Sequence, residues 1–219
     1  MRAGVPDRAL VAMALAALAA AACTEPFVPS RPNTYAFTGP LGEIFHWPAD
    51  RLPVRFYADP RGALSGYVSQ AVATWQVQLL YGEFSGEMVS DSTQADVIVT
   101  WADSVPPDVP PDQGPPVKAC GGVTQASTDT TGVRLDGPLH TQLTVLLGTV
   151  FTASQLAACM QRTTLHEIGH TLGLFGESAD TQDIMYITPR VTTPSDADRW
   201  TVQKLYHTTP NIAPALRSP

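Results

Sequence analysis

The stretch His166-Glu167-Ile168-Gly169-His170 decides how this chain of 219 residues is interpreted. Residues four apart on an α-helix lie on the same face, about one turn from each other. Two imidazoles at this spacing can therefore bind one zinc ion together. Glu167 projects beside the metal, where its carboxylate can take a proton from a water molecule. The stretch predicts a metal-binding helix that carries its own general base.

The residues around this stretch resemble the metzincin clan of zinc endopeptidases, and within it the matrixin-like enzymes. Their long motif reads His-Glu-x-x-His-x-x-Gly-x-x-His and is followed by a tight turn with a methionine under the metal. The positions that fall on this pattern are His166, Glu167, His170, Gly173 and Met185. A helix that stops and turns back toward the metal needs a residue that tolerates positive φ, and Gly173 supplies it.

The third histidine of the motif is missing, because the chain has Gly176 at that position. Matrixin-like chains read Gly-His-Ser here, whereas this chain reads Gly176-Glu177-Ser178. Counting back from Met185 puts Glu177 at the ligand position. Catalytic zinc sites with two histidines and one glutamate exist, so Glu177 is the predicted third ligand.

Other ligands remain open from the sequence. Asp180 and Asp183 lie close enough along the chain to reach the same space. Three further histidines, which stand in no recognisable ligand spacing, are His46, His140 and His207. Water could also complete the shell, and the protein would then be a degenerate metzincin that binds zinc or a partner without catalysis.

The N-terminus predicts export. A positively charged start precedes an apolar run from Ala9 to Ala22, which is too short to span a bilayer and is typical of a signal peptide over residues 1–22. The run closes at Ala20-Ala21-Ala22-Cys23, which resembles a bacterial lipobox with alanine in place of the usual leucine. We expect a lipoprotein of the cell envelope that contacts the membrane only through Cys23, or a protein secreted freely.

The cysteines agree with an oxidising compartment. If Cys23 carries lipid, Cys120 and Cys159 remain and could form one disulfide. That bridge would tie the metal-binding helix to the segment 119–124. Two unrelated buried thiols are the alternative.

Charge and loop composition exclude other classes of partner. The net charge is −7, so the chain offers no basic face for nucleic acid. The loop at 126–138 has no ordered calcium-loop spacing, and a structural Ca²⁺ is unsupported. The resemblance implies a protein or peptide substrate, and we expect a monomer.

The order of elements predicts an α+β, zincin-like fold with a twisted mixed β-sheet. We expect a tether over 23–43, a matrixin-like catalytic domain over 44–208 and a loose tail over 209–219. Within the domain we expect four strands, at 52–57, 95–101, 122–125 and 142–147. We also expect an early helix from 64, an active-site helix from Thr152 or Ser154 to Gly173, and a C-terminal helix from about 195. The methionine turn lies between the last two helices. The resemblance further implies that a peptide pairs with an edge strand within 119–125 or 142–147.

Overall fold

Five strands form a mixed sheet in the part of the chain that the structure describes. The structure is a computed structural model, and it describes residues 33–102, 120–145 and 152–217. The strands, in chain order, are β1 (Val54–Ala58), β2 (Gly86–Met88), β3 (Val97–Ala102), β4 (Cys120–Gln125) and β5 (Leu139–Val145). Their order across the sheet is β2-β1-β3-β5-β4. All neighbours are parallel except β4, which runs antiparallel to β5. The predicted α+β class with a mixed sheet is therefore confirmed.

The edge strand expected within 119–125 or 142–147 lies in the first of these two segments. Strand β4 lies at the end of the sheet, whereas β5 pairs with β3 on one side and β4 on the other. Both backbone edges of β5 are thus already used in the ladder, so the segment from 142 cannot accept another strand. The edge predicted within 119–125 is the one that the described residues leave at this end of the sheet.

Three α-helices lie within the described residues, and the first two of them pack against this sheet. They are α1 (Leu64–Gln76), α2 (Ala153–Thr171) and α3 (Asp196–Tyr206). Buried side chains of α1 recur at helical spacing, and Trp75 donates its indole N–H to the carbonyl of Leu165 on α2 at 2.8 Å. The apolar spacing from Leu64 onward predicts a helix that reaches Leu79, but the helix ends at Gln76. Leu79 lies beyond its end and is buried as well. None of the described helices has the length and hydropathy of a membrane span.

The compact unit is longer at both ends than the predicted 44–208 domain. It begins at Asn33, and Phe37, from the predicted tether, is buried and accepts a hydrogen bond from the backbone N–H of Phe175 at 3.1 Å. In the predicted tail, Ile212 is buried and Arg217 pairs with Asp96. Both segments are held because they bury apolar side chains or neutralise a buried charge, which composition alone did not indicate. The predicted signal peptide and Cys23 lie outside the described residues.

Candidate metal centre

Helix α2 brings the two histidines of the motif together. It begins at Thr152, whose hydroxyl and Gln155 form a reciprocal capping box, as expected for one of the two predicted caps. Nineteen helical residues follow, and His166 and His170 lie on one face near the end of the helix. Their rings meet edge to face with centroids 4.7 Å apart, and their Nε2 atoms are 3.1 Å apart.

The other nitrogen of each ring determines what these Nε2 atoms can do. His166 Nδ1 lies 2.9 Å from the carbonyl oxygen of Ile184, and His170 Nδ1 lies 2.6 Å from that of Leu174. Because a carbonyl only accepts, both Nδ1 atoms must carry the proton. In the neutral rings, both Nε2 atoms then present lone pairs to each other. Such a pair is stable only with a cation shared between the lone pairs, either a proton or a metal ion.

Glu177 completes this group. Its Oε1 atom lies 3.6 Å from His166 Nε2 and 3.5 Å from His170 Nε2, and its side chain is 38% exposed. The ligand atoms of His166, His170 and Glu177 all lie within 4.8 Å of one another. Two imidazole nitrogens and one carboxylate are a donor set that suits zinc and similar divalent ions, so the residues fit a metal ion.

The electrostatics of the three groups are coupled. Burial of Glu177 opposes its ionisation, but hydrogen bonds and attraction from His166 and His170 outweigh it and lower the pKa of Glu177 to about 2. Burial of His170 favours its neutral form, yet the carboxylates of Glu177 and Glu167 prevail and raise the pKa of His170. The site thus attracts positive charge at its centre.

The rival ligand candidates lie elsewhere. Both carboxylate oxygens of Asp183 are bonded to the hydroxyls of Ser178 and Ser195, and Asp180 accepts from the backbone of Gln182. The three other histidines are separate from the site: His46 contacts the carbonyl of Thr208, His140 is exposed on β5 and His207 pairs with Glu83. Within the described ranges, no other set of three or more metal-binding side chains is found.

Backbone geometry explains why position 176 carries no side chain. Helix α2 ends at Thr171, and the chain turns away at Gly173, which has φ of +102°. Three residues later, a β-carbon on Gly176 would overlap the carbonyl oxygen of Ala36. The N-terminal segment passes through the space that a third histidine would need, and Glu177 is the next residue that reaches the site.

Glu167 is held beside the histidines by strand β4. It is 3% exposed, and its Oε1 atom lies 4.0 Å from His166 Nε2. Its Oε2 atom accepts a hydrogen bond from the Thr124 hydroxyl at 2.8 Å. Thr124 was not predicted as a site residue, because one threonine in a strand has no distinctive spacing in the sequence.

A buried carboxylate on α3 supports the methionine turn and was also missed. Asp198 accepts from the backbone N–H groups of Ile184 and Met185 and from the hydroxyl of Tyr35 at 2.8 Å. Burial raises the pKa of Asp198. Because the carbonyl of Ile184 accepts a hydrogen bond from His166, Asp198 orients the imidazole ring indirectly, by holding the backbone of Ile184. The Ser195-to-Asp198 spacing of a capping box was the available signal, but it indicated only a helix start.

A cleft of about 690 Å³ opens over these groups. It is lined by β4 on one side, by the His166 face of α2 on another and by Gly39, Pro40 and Glu43 of the N-terminal segment. Met185 is fully buried behind α2, against Gly169. Cys120 and Cys159, on the two flanking elements, stand at disulfide distance with their Cα atoms 6.1 Å apart.

No protein-family model matches the chain, and no curated protein does.

Proposed function

We propose that this protein is a zinc metalloendopeptidase with a zincin-like fold. The observation that carries the proposal is the pair of Nε2 atoms 3.1 Å apart, both with their Nδ1 protons donated to carbonyls, beside the carboxylates of Glu177 and Glu167. His166, His170 and Glu177 would hold the metal. When bound, Zn²⁺ supplies a Lewis acid that polarises a carbonyl and lowers the pKa of a water molecule.

Glu167 performs the proton transfers in this proposal. Its Oε1 atom faces the histidine pair while Oε2 is engaged by Thr124, so Oε1 is free to accept a proton from an attacking water. The same oxygen then returns the proton to the departing amine of the peptide. Because Glu167 is nearly excluded from solvent, few water molecules solvate its carboxylate and compete with the proton that it accepts, which supports this role.

The substrate in this proposal is an extended peptide in the cleft. Strand β4 is an edge strand that lines the cleft beside α2 and presents backbone groups for pairing with another strand. We further propose export through the signal peptide at 1–22, with Cys23 as the lipid anchor.

A second candidate is a degenerate metzincin that binds zinc without catalysis. It is favoured by the loss of the third imidazole at Gly176 and by the exposure of Glu177. Both candidates predict a bound metal ion, so activity alone separates them.

Zinc content and peptide cleavage, measured on the purified protein without the signal peptide, test both candidates. We expect about one zinc per chain by elemental analysis and cleavage of casein that stops on chelation. Glu167→Gln should keep the zinc and lose cleavage. Glu87→Gln, an exposed glutamate on the far edge strand β2, is the matched control and should change neither. Zinc without cleavage would select the degenerate protein, and a chain without zinc would refute both.

A further inference from the structure

The hydroxyl of Thr124 stands at the centre of a hydrogen-bonded chain that ends on Glu167. Thr124 Oγ1 lies 2.8 Å from Glu167 Oε2, 3.2 Å from the backbone carbonyl oxygen of Glu167 and 3.0 Å from Thr141 Oγ1. Thr141 is on the neighbouring strand β5 and is buried. The three side chains therefore connect the sheet to the buried carboxylate across the gap between β4 and α2.

The direction of this chain follows from counting protons. A hydroxyl carries one proton and accepts with its lone pairs. A carboxylate is the strongest acceptor near Thr124, so the proton of Thr124 goes to Glu167 Oε2. Thr141 then donates to Thr124. The chain runs from Thr141 through Thr124 to Glu167, and each hydroxyl proton has one acceptor.

The backbone of β4 lies against the Glu167 side chain at Gly122. A β-carbon at Gly122 would lie 2.5 Å from Glu167 Oε1 and would overlap the rest of the carboxylate group. The absence of a side chain at position 122 therefore leaves the space that the Glu167 side chain occupies. With Oε2 bonded to Thr124 and the strand against the carboxylate, Oε1 is directed to the side of His166.

We propose that Thr124 is the positioning residue of Glu167: its hydroxyl selects which carboxylate oxygen is bonded to the sheet and which is left for proton transfer. This inference rests on the proposed peptidase function for its kinetic consequence. The effect of Thr124 on the position of the Glu167 carboxylate does not depend on catalysis. Thr124 itself touches neither metal nor substrate in this role.

Three substitutions test the proposal. Thr124→Val keeps the shape of the side chain and removes the hydroxyl, whereas Thr124→Ser keeps the hydroxyl. Thr74→Val removes a half-buried hydroxyl that donates to the carbonyl of Gln70 within helix α1, outside the hydrogen-bonded chain, and is the matched control. We expect Thr124→Val to lower kcat at least about tenfold with KM and zinc content unchanged, as part of the roughly 10²–10⁴-fold effect of a general base. Thr124→Ser and Thr74→Val should stay within about twofold of the parent.

Crystal structures of the same variants provide a readout that is independent of activity. We expect the Glu167 carboxylate to rotate away from its parent position in Thr124→Val and to remain there in Thr124→Ser. An unmoved carboxylate in Thr124→Val, or an unchanged kcat, would overturn the proposal. If the parent protein cleaves no peptide, the proposed function fails, and the position of the carboxylate still decides the role of Thr124.

Discussion

The carbonyl oxygen of Ala36 lies against the α-carbon of Gly176, in the space that a β-carbon at position 176 would occupy. Beside this contact, Phe175 donates its backbone N–H to the carbonyl of Phe37 at 3.1 Å. The segment before residue 44 is therefore packed into the loop that follows the metal-binding helix. The identity of residue 176 and the path of the N-terminal segment depend on each other.

Gly176→Ala should destabilise the protein. The added β-carbon must displace backbone, and overpacking of this kind costs about 1–3 kcal/mol of the free energy of unfolding. Thermal denaturation of the metal-free protein measures the change. Gly66→Ala is the control, because its β-carbon meets nothing within 4 Å on helix α1, and we expect it to be neutral or stabilising. Equal melting temperatures for the two variants would show that the Ala36 contact is not tight.

Glu177→Gln should weaken zinc binding without unfolding the chain. The substitution removes the anionic oxygen 3.5 Å from His170 Nε2 and leaves both imidazoles in place. We expect the dissociation constant for zinc to rise by more than the roughly 10–100-fold that loss of an outer partner costs. Competition with a chromophoric chelator measures it. Glu43→Gln removes a charge from the same cleft but not from the histidine group, and its affinity should match that of the parent.

The metal-free protein should be most stable at mildly acidic pH. The pKa of His170 is raised above 6.5 in the folded state, so its contribution is full below 6.5 and is lost as the pH rises through the raised pKa. The pKa of Glu177 is lowered from 4.5 to about 2, so its contribution is present above 4.5 and is lost as the pH falls toward 2. In chelator, we expect a higher melting temperature at about pH 5.5 than at about pH 8.

Saturating zinc should reverse this order, because protons and metal compete for the histidine nitrogens. His170→Gln should abolish the pH difference in chelator, whereas His140→Gln, an exposed histidine on β5, should preserve it. A melting temperature in chelator that rises steadily from acidic to alkaline pH would contradict the assigned coupling.

Asp198→Asn should loosen the methionine turn. The backbone N–H groups of Ile184 and Ser195 both donate to Asp198 Oδ2. In the variant an amide NH₂ group takes the place of this oxygen, so the two donors lose their acceptor. Leaving such buried donors unpaired lowers the free energy of unfolding by about 1–3 kcal/mol. Zinc affinity should fall as well, because the Ile184 carbonyl orients His166. Asp196→Asn, two residues earlier and exposed on the same helix, should alter stability by less than about 0.5 kcal/mol. Urea denaturation and zinc titration of both variants measure the two effects.

Cys120→Ala, Cys159→Ala and the double variant should all lower the free energy of unfolding by the same amount, because removing either cysteine already removes the whole disulfide. Because the two cysteines are 39 positions apart, closure of the loop contributes roughly 3–4 kcal/mol in the chain-entropy description. Melting temperatures with and without reductant, together with thiol counts, measure this. Additive single effects, or free thiols in the unreduced parent, would show two independent cysteines.

Much of the architecture around the site could be predicted because it depends on local patterns. The helix that carries His166 and His170, its cap at Thr152 and the turn at Gly173 just after its end follow from spacing, capping chemistry and the tolerance of glycine for positive φ. Strands near 54 and 97 followed from runs of β-branched and apolar residues. Which of the two candidate segments forms the edge could not be predicted, because the pairing partners of a strand are non-local.

The residue types and their order along one helix determined that two imidazoles share one face, because residues four apart are neighbours on a helix whatever surrounds it, and that a carboxylate projects beside them. Only the tertiary structure decided which distant groups complete the site. Tyr35 and Asp198 are 163 positions apart, and Thr124 and Glu167 are 43 apart. Contacts over such separations arise from chain packing, and no periodicity within a single segment encodes them.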